Sequence, residues 1–276
     1  MIRFLFSLLV CSLLACSKKD IAVAAPIPTP TEPVPVTDCS LRQMVANPGA
    51  ALAADRDTVF FDKGFIRQAT VPGGGLVTYT YQQGKLWKRE QYNNIGQLTA
   101  LSGYEHNVGA GQLIVERKLK PGNPAEVEGF TEFAYGPYGS GSDRIKEISY
   151  YNGNRQLQKR FEVVWDASQQ YIERISERNS ENYPVADYTF TCHVSRGNPL
   201  RSPFPVAAHL FVAEPSGYPE AVKIGLLFGL REVTRITATT PEFQPLNLAY
   251  TFTARNTLKD VNVNGSTAWR FVYACE

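Results

Sequence analysis

Histidine is scarce in this chain, with three in 276 residues. His106, His193 and His209 show no H-x-x-x-H spacing, and no C-x-x-C accompanies them, so the sequence offers no recognisable metal site. No G-x-S-x-G marks a nucleophile elbow. The glycine-dense stretch "YGPYGSGSD" lacks the lysine and following helix of a phosphate-binding loop and reads as a hairpin loop. Net charge is nearly absent too: the formal value is +2, with Lys and Arg spread among Asp and Glu. That balance excludes an electrostatic nucleic-acid surface. Long apolar runs are missing. The clearest one, residues 4–15, is about a dozen residues long, against roughly 20 for a membrane-spanning helix.

Carboxylates are present but not in a pattern that implies catalysis. Glu126 with Glu128, and Asp55 with Asp57, stand at i and i+2, which on a strand puts each pair on one face. That is the ordinary appearance of a solvated sheet face, whereas glycoside hydrolysis needs two carboxylates spaced across a cleft. No enzyme and no cofactor is expected.

The apolar run at the start follows Arg3 and ends in Leu13-Leu14-Ala15-Cys16, the outline of a signal peptide. The tetrad resembles the bacterial lipobox, with Leu14 in place of the commoner Ala or Ser. The resemblance implies cleavage before Cys16 and a diacylglycerol on its thiol, so residues 1–15 are a lipoprotein signal peptide. A single acyl chain binds membranes marginally and two or more anchor stably; the modified cysteine of such proteins carries at least two. Ser17 does not match the Asp that retains some lipoproteins at the inner membrane, and Lys19-Asp20 resembles export signals of Bacteroidota lipoproteins. Pro26, Pro28, Pro30, Pro33 and Pro35 then make residues 16–38 a lipidated, extended linker. At roughly 3.1 Å per residue it holds the folded part up to about 60 Å from the bilayer.

Residues 39–276 contain no second linker and are expected to form one domain. "LVTYTY" alternates Val77, Tyr79 and Tyr81 against Leu76, Thr78 and Thr80; "DYTFTCHV" puts Tyr188, Phe190 and Cys192 on one side; "AWRFVYAC" does the same with Trp269, Phe271, Tyr273 and Cys275. Turn signals at Gly73-Gly74-Gly75, Gln83-Gly84, Asn94-Ile95-Gly96, Asn152-Gly153 and Asn264-Gly265 separate such stretches. The fold class is therefore all-β, a curled antiparallel β-meander, open sheet or partial barrel, of repeated hairpins. In one hairpin a three-residue loop, Asn152-Gly153-Asn154, sets Glu147 opposite Lys159 and Ile145 opposite Phe161, cross-strand pairs worth about 0.2–1 kcal/mol each. Phe161, Val163 and Trp165 then share an apolar face.

"YTYQQGKLWKREQY", "FAYGPYGSGSDRIKEISYY" and "FEVVWDASQQYIERI" repeat one plan, aromatic-x-aromatic or Val-x-Trp, a polar turn, then Leu or Ile on the return strand. The plan resembles the YD-type hairpin repeats of Rhs-like shells. "RGNPL", "LLFGLREVTRI", "YTFTARN" and "YAC" resemble a family of Bacteroidota-type surface lipoproteins with a curled β-meander. The resemblance implies fold and an envelope location and leaves activity open.

Cys11 leaves with the signal and Cys16 takes lipid, so Cys39, Cys192 and Cys275 remain for an oxidising envelope. Three pairings are open. Cys39 with Cys275 closes the longest loop and constrains the unfolded chain most, by about 4–5 kcal/mol on the chain-entropy view. It is the leading pairing, with Cys192 left as a buried thiol. The partners expected are the lipid bilayer, through acylated Cys16, and an envelope protein or glycan. The functional expectation is a non-catalytic outer-membrane lipoprotein with a binding or structural role. The alternative is a glycan-binding surface protein serving polysaccharide uptake, which needs several coplanar exposed aromatics such as Trp87 and Tyr138.

Overall fold

The computed structural model describes residues 39–46, 48–50, 58–63, 65–71, 73–107, 112–136, 144–200 and 218–275. Cys16 and the whole signal and linker, together with Asp55, Asp57, Tyr138 and His209, lie outside the described residues. The strands are β1 (Cys39–Ala46), β2 (Thr58–Asp62), β3 (Phe65–Val71), β4 (Gly75–Gln82), β5 (Lys85–Tyr92), β6 (Leu98–His106), β7 (Leu113–Lys120) and β8 (Asn123–Tyr135). They continue as β9 (Ile145–Asn152), β10 (Leu157–Trp165), β11 (Ile172–Asn179) and β12 (Pro184–Gly197). After helix α1 (Glu220–Phe228) come β13 (Arg231–Ala238), β14 (Leu246–Phe252), β15 (Leu258–Val263) and β16 (Ser266–Cys275). Each strand pairs antiparallel with its sequence neighbours, and β1 pairs with β16, so the meander closes into a barrel of sixteen strands. The fold is all-β as the periodicity predicts, with closure and one helix added.

Alternation sets which residues point inward. Val77 and Tyr79 are buried while Thr78 and Thr80 are not. Phe161, Val163 and Trp165, then Trp269 and Phe271, are buried in the same way. A single-layer closed sheet has one sheltered face, its interior, so the period-two apolar positions line the lumen. Trp165 keeps its polar edge satisfied there by donating from Nε1 to the Ile145 carbonyl at 2.8 Å.

The outer face carries charge. Arg160 reaches Glu162 at 3.0 Å and Glu147 at 3.8 Å, Arg178 reaches Glu162 at 2.8 Å, and Arg270 reaches Asp260 at 2.7 Å. Arg117 with Glu105 and Lys88 with Glu90 add to this surface. The Arg160, Glu162 and Arg178 pairs are half-buried, and Asp260 is buried. A barrel wall in lipid presents an apolar band about 25 Å tall, whereas the outward positions here mix these ion pairs with exposed Val164 and Val272.

Five hairpins turn on one device. The side chain of Asn93 accepts the N–H groups of Ile95 and Gln97, and Asn152 accepts those of Asn154 and Gln156. Asn179 accepts those of Glu181 and Tyr183, and Thr253 those of Arg255 and Thr257. Asp166 holds Ser168, Gln170 and Tyr171. Three residues after the initiator the backbone turns left-handed, at Gly96, Arg155, Gln169, Asn182 and Asn256. These are Asx-type turns, in which a side-chain oxygen replaces a backbone acceptor.

This device corrects the hairpin register. Asn152 also donates its own N–H to the Gln156 carbonyl at 3.0 Å, so the turn is longer than three residues. With a bulge at Gln158, Phe161 stands opposite Ile148 and Lys159 opposite Tyr150, not opposite Ile145 and Glu147. Glu147 faces Glu162 across the ladder, and Arg160 lies between the two carboxylates.

Burial alone would raise the pKa of Asp166, but hydrogen bonds from the Ser168 hydroxyl and from the N–H groups of Tyr171, Ser168 and Gln170 outweigh it and hold the carboxyl below its ordinary value. A group with a depressed folded pKa contributes stability that is complete above its unfolded pKa, about 3.9 for Asp, and lost as pH falls through the folded one. Asp166→Asn is therefore expected to destabilise by about 1–3 kcal/mol at pH 7. In urea titrations the gap from wild type should narrow below about pH 4; a gap constant with pH would show that the charge contributes nothing.

Cys39 is disulfide-bonded and Cys192 is free. The β1–β16 ladder sets Cys39 directly opposite Cys275, and facing residues of an antiparallel pair lie about 4.5–5.5 Å apart, inside the range a disulfide spans. Non-reducing peptide mapping is expected to recover Cys39 joined to Cys275. Recovery of Cys39 joined to Cys192 instead would refute that pairing.

Candidate ligand site in the barrel lumen

The inner wall is apolar from β12 round through β16 and β1 to β4, with Phe190, Ile236, Val261, Phe271, Met44 and Val77 among its buried side chains. Between β5 and β11 it changes character. Two adjacent rows of cross-strand partners cross this stretch. One runs Tyr79, Arg89, Ser102, Lys118. The other runs Tyr104, Glu116, Thr131, Tyr150, Lys159. Because Tyr79 and Tyr104 are buried on the inner face, the register carries the charged members of both rows inward with them.

Helix α1 fills part of the lumen, which sixteen strands make wider than their own side chains fill. It packs on β11, β12 and β13, burying Ala221, Val222, Ile224, Leu226 and Phe228. Gly225 lies so close to the wall that a Cβ there would overlap the Phe190 ring. Buried Asn198 fixes the C-terminal end, donating from Nδ2 to the carbonyls of Leu226 at 2.7 Å and Gly229 at 2.8 Å, which a helix end otherwise leaves unsatisfied. The other end meets the polar rows. Glu220 accepts the Tyr150 hydroxyl, and its second oxygen lies 2.5 Å from Lys159 Nζ.

The electrostatics bind these groups into one patch. Burial pushes the Tyr150 hydroxyl far above its ordinary pKa, and the charge and hydrogen bond of Glu220 push it further. Two ammonium groups approach the Tyr150 ring, Lys159 at 4.8 Å and Lys118 at 5.6 Å from its centroid. Tyr104 donates to Glu116 at 3.2 Å and is raised by burial first and by that carboxylate second. Glu177 on β11 is raised by burial, with Lys159 opposing and Glu220 adding to the effect. Tyr79 is raised by burial, while Arg89 beside it pulls the other way.

The residues singled out from the sequence fall elsewhere. Glu126 and Glu128 are both exposed on β8, and Glu126 pairs with Lys120 at 3.0 Å. His193 Nδ1 lies 3.4 Å from the Ser195 hydroxyl and takes the Ser195 N–H at 3.3 Å, a local contact two residues along one strand. His106 is lowered by burial and by Lys85. Burial, then the charge of Asp166, pushes the half-buried Cys192 thiol up to about 12, the state of an inert cysteine. Trp87 is exposed on β5. Among the described residues no group of three His, Cys, Asp or Glu side chains is placed to hold a metal ion. None of Arg89, Glu116, Tyr150 or Glu220 was a candidate from sequence. The signal present was a charge at apolar parity, as with Lys159 two before Phe161 and Glu177 two after Ile175.

No family model matches the sequence, and no curated protein matches it. Solved structures with a similar path include a porin-like protein from Bacteroides uniformis, at 10% identity and TM-score 0.47, covering 86% of this chain and 98% of that one. A porin-like protein from Bacteroides vulgatus is similar at 12% identity and TM-score 0.44, covering 85% and 98%. The Photorhabdus luminescens Tc holotoxin pore is similar at 12% identity and TM-score 0.30, covering 80% of this chain and 10% of that one. With TM-scores below 0.5, these likenesses carry none of the functional argument below.

The contact between Gly225 and Phe190 gives the helix a direct test. Alanine favours helix over glycine by about 1 kcal/mol, yet here its methyl would force α1 off the wall. Gly225→Ala is expected to destabilise by about 1–3 kcal/mol in a urea melt. A stabilised variant would mean that α1 does not pack on Phe190.

Proposed function

We propose that this chain is a lipid-anchored envelope protein whose barrel stands in water and binds a ligand in its lumen without converting it. The observation that carries this reading is the polarity of the wall. Ion pairs such as Arg160 with Glu162 and Arg270 with Asp260 lie on the outer face among the described residues, which supports a barrel that is not itself embedded in lipid. Attachment to a membrane then falls to another part of the chain, and the lipobox-like tetrad ending at Cys16 supplies one. The binding role draws support from the lumen, which combines a pinned helix with a patch of converging charged and hydroxyl groups.

A flat glycan-stacking surface fits less well. Among the described residues the most exposed aromatics, Trp87, Tyr183 and Phe252, sit on β5, in the β11–β12 turn and on β14. No two of these elements are paired neighbours.

Metabolic labelling with a palmitate analogue tests the anchor. The full chain expressed in a Gram-negative host is expected to take up label, and Cys16→Ala is expected to lose it and accumulate as the longer precursor. A wild-type chain that takes up no label refutes the anchor.

A further inference from the structure

We propose that the barrel wall opens laterally between β13 and β14, with the Tyr250 hydroxyl as the latch. This goes beyond the reading above and needs neither the lipid anchor nor a lumenal ligand. The first observation is the brevity of the ladder. β13 and β14 share two cross-strand pairs, Arg235 with Asn247 and Ile236 with Leu246, whereas β14 and β15 share five and β12 and β13 share six. Backbone direction reduces the two to one. Asn247 turns its carbonyl to the N–H of Asn264 and its own N–H to the Asn264 side chain, each at 2.8 Å, on the side away from β13. Thr239, just past β13, turns its N–H to the Asp187 carbonyl on β12. Hydrogen-bonded and non-hydrogen-bonded pairs alternate along an antiparallel ladder, so Arg235 faces β12, and of the two pairs only Ile236 with Leu246 bonds across the seam.

The second observation is why the ladder stops. Against β12 the register runs Thr191 with Arg235 and then Cys192 with Val233, so Thr234 is an extra residue in β13. A bulge of this kind bends its strand and breaks the pairing locally. Beyond it, residues 231–234 and 248–252 have no ladder partner in one another among the described residues. A side chain bridges the two strands instead. The Tyr250 hydroxyl donates to the Val233 carbonyl at 2.9 Å.

The third observation is that the seam lies between two well-tied bodies. On one side β13 is held along β12, and α1 packs on β11, β12 and β13. On the other side β14 is held along β15. The Asn264 side chain also fastens the start of β14 to the β15–β16 turn, donating to the Pro245 carbonyl at 3.1 Å while accepting from Asn247. Local opening occurs where few backbone hydrogen bonds must break. Here it parts Ile236 from Leu246 and releases Tyr250 from Val233, admitting solvent beside α1 while the other ladders stay paired.

Hydrogen exchange of the full chain in a zwitterionic detergent, read at single amides by mass spectrometry, tests the proposal. The amides of Ile236 and Leu246 are expected to exchange about tenfold or more faster, after correction for intrinsic rates, than those of Ile148 and Phe161 in the β9–β10 ladder. Tyr250→Phe removes the latch hydroxyl and keeps the ring. It is expected to speed the two seam amides by a further two- to tenfold or so, about the worth of one hydrogen bond, and to leave Ile148 and Phe161 unchanged. Arg235→Cys with Asn247→Cys staples the seam, because a facing pair that is not hydrogen-bonded lies about 4.5 Å apart, within disulfide reach. The oxidised staple is expected to slow both seam amides by about tenfold or more relative to Arg235→Ser with Asn247→Ser. Three results would overturn the opening: seam amides as protected as Ile148 and Phe161, no acceleration or an equal one at all four amides in Tyr250→Phe, or no slowing by the staple. If Tyr250→Phe does not fold, the stapled and serine variants decide the question alone.

Discussion

The pairing of β1 with β16 is the interaction on which the rest of the structure depends. Every other ladder in the barrel joins strands that follow one another in sequence, and this one joins the first to the last. Without it the sheet would have two free edges and an apolar inner face open to water, both invitations to association. With it, Met44 packs opposite Phe271 and Ala46 opposite Trp269, and the inner face becomes an interior. The local ladders need only short loops, several closed by an Asx-type side chain, so their entropy cost is small. The closing ladder spans nearly the whole folded chain, and loop entropy grows slowly with length, by about 0.6 kcal/mol per doubling. Cys39, the first residue of β1, is disulfide-bonded, and a bond to Cys275 opposite it would reinforce the ladder whose loss would expose most.

Closure also assigns the charges. Outward positions carry Arg160, Glu162, Arg178, Asp260 and Arg270, which pair with one another across the outer face of the sheet. Inward charges are a different matter, since each loses hydration and needs a partner. Lys159 finds one in Glu220, and Glu116 accepts from Tyr104. An inner wall made only for packing would use Leu or Val at these positions, as it does through β13 and β15. Retaining a polar patch there costs stability, which is the usual mark of a surface kept for recognition.

Much of this architecture was legible in the sequence and some of it was not, for identifiable reasons. Alternation at Val77 and Tyr79, Phe161 to Trp165, and Trp269 to Phe271 gave the strands and their buried faces, because period two is a local property. The Asx-type turns were harder. Reading Asn94-Ile95-Gly96 and Asn152-Gly153 for their glycines locates the turns but misses that Asn93 and Asn152 close them through side-chain oxygens, and that Arg155 rather than a glycine takes the left-handed position. The register of β9 on β10 shifted accordingly. Helix α1 hides in "EAVKIGLLF", an apolar run in which helix and buried strand cannot be told apart by periodicity. The lumenal patch was beyond reach, since Tyr104, Glu116, Thr131 and Tyr150 line up only through a register accumulated over strands β6 to β9, and Glu220 meets Tyr150 only from a helix that folds back inside them.

That helix ties the fold to the site. Asn198 holds one end of α1 through the Leu226 and Gly229 carbonyls, and Gly225 presses its middle on Phe190. Its first residue, Glu220, is thereby delivered to Tyr150 and Lys159, at the edge of the polar rows. Tyr150 in turn stands opposite Thr131 on the next strand. The same short helix completes the apolar core on one side and sets the electrostatic boundary of the lumenal patch on the other. The row Glu116, Thr131, Tyr150 is thus joined through the Tyr150 hydroxyl to the seating of α1. Core packing at Gly225 and the charge pair at Glu220 are in this sense set by the placement of one short helix.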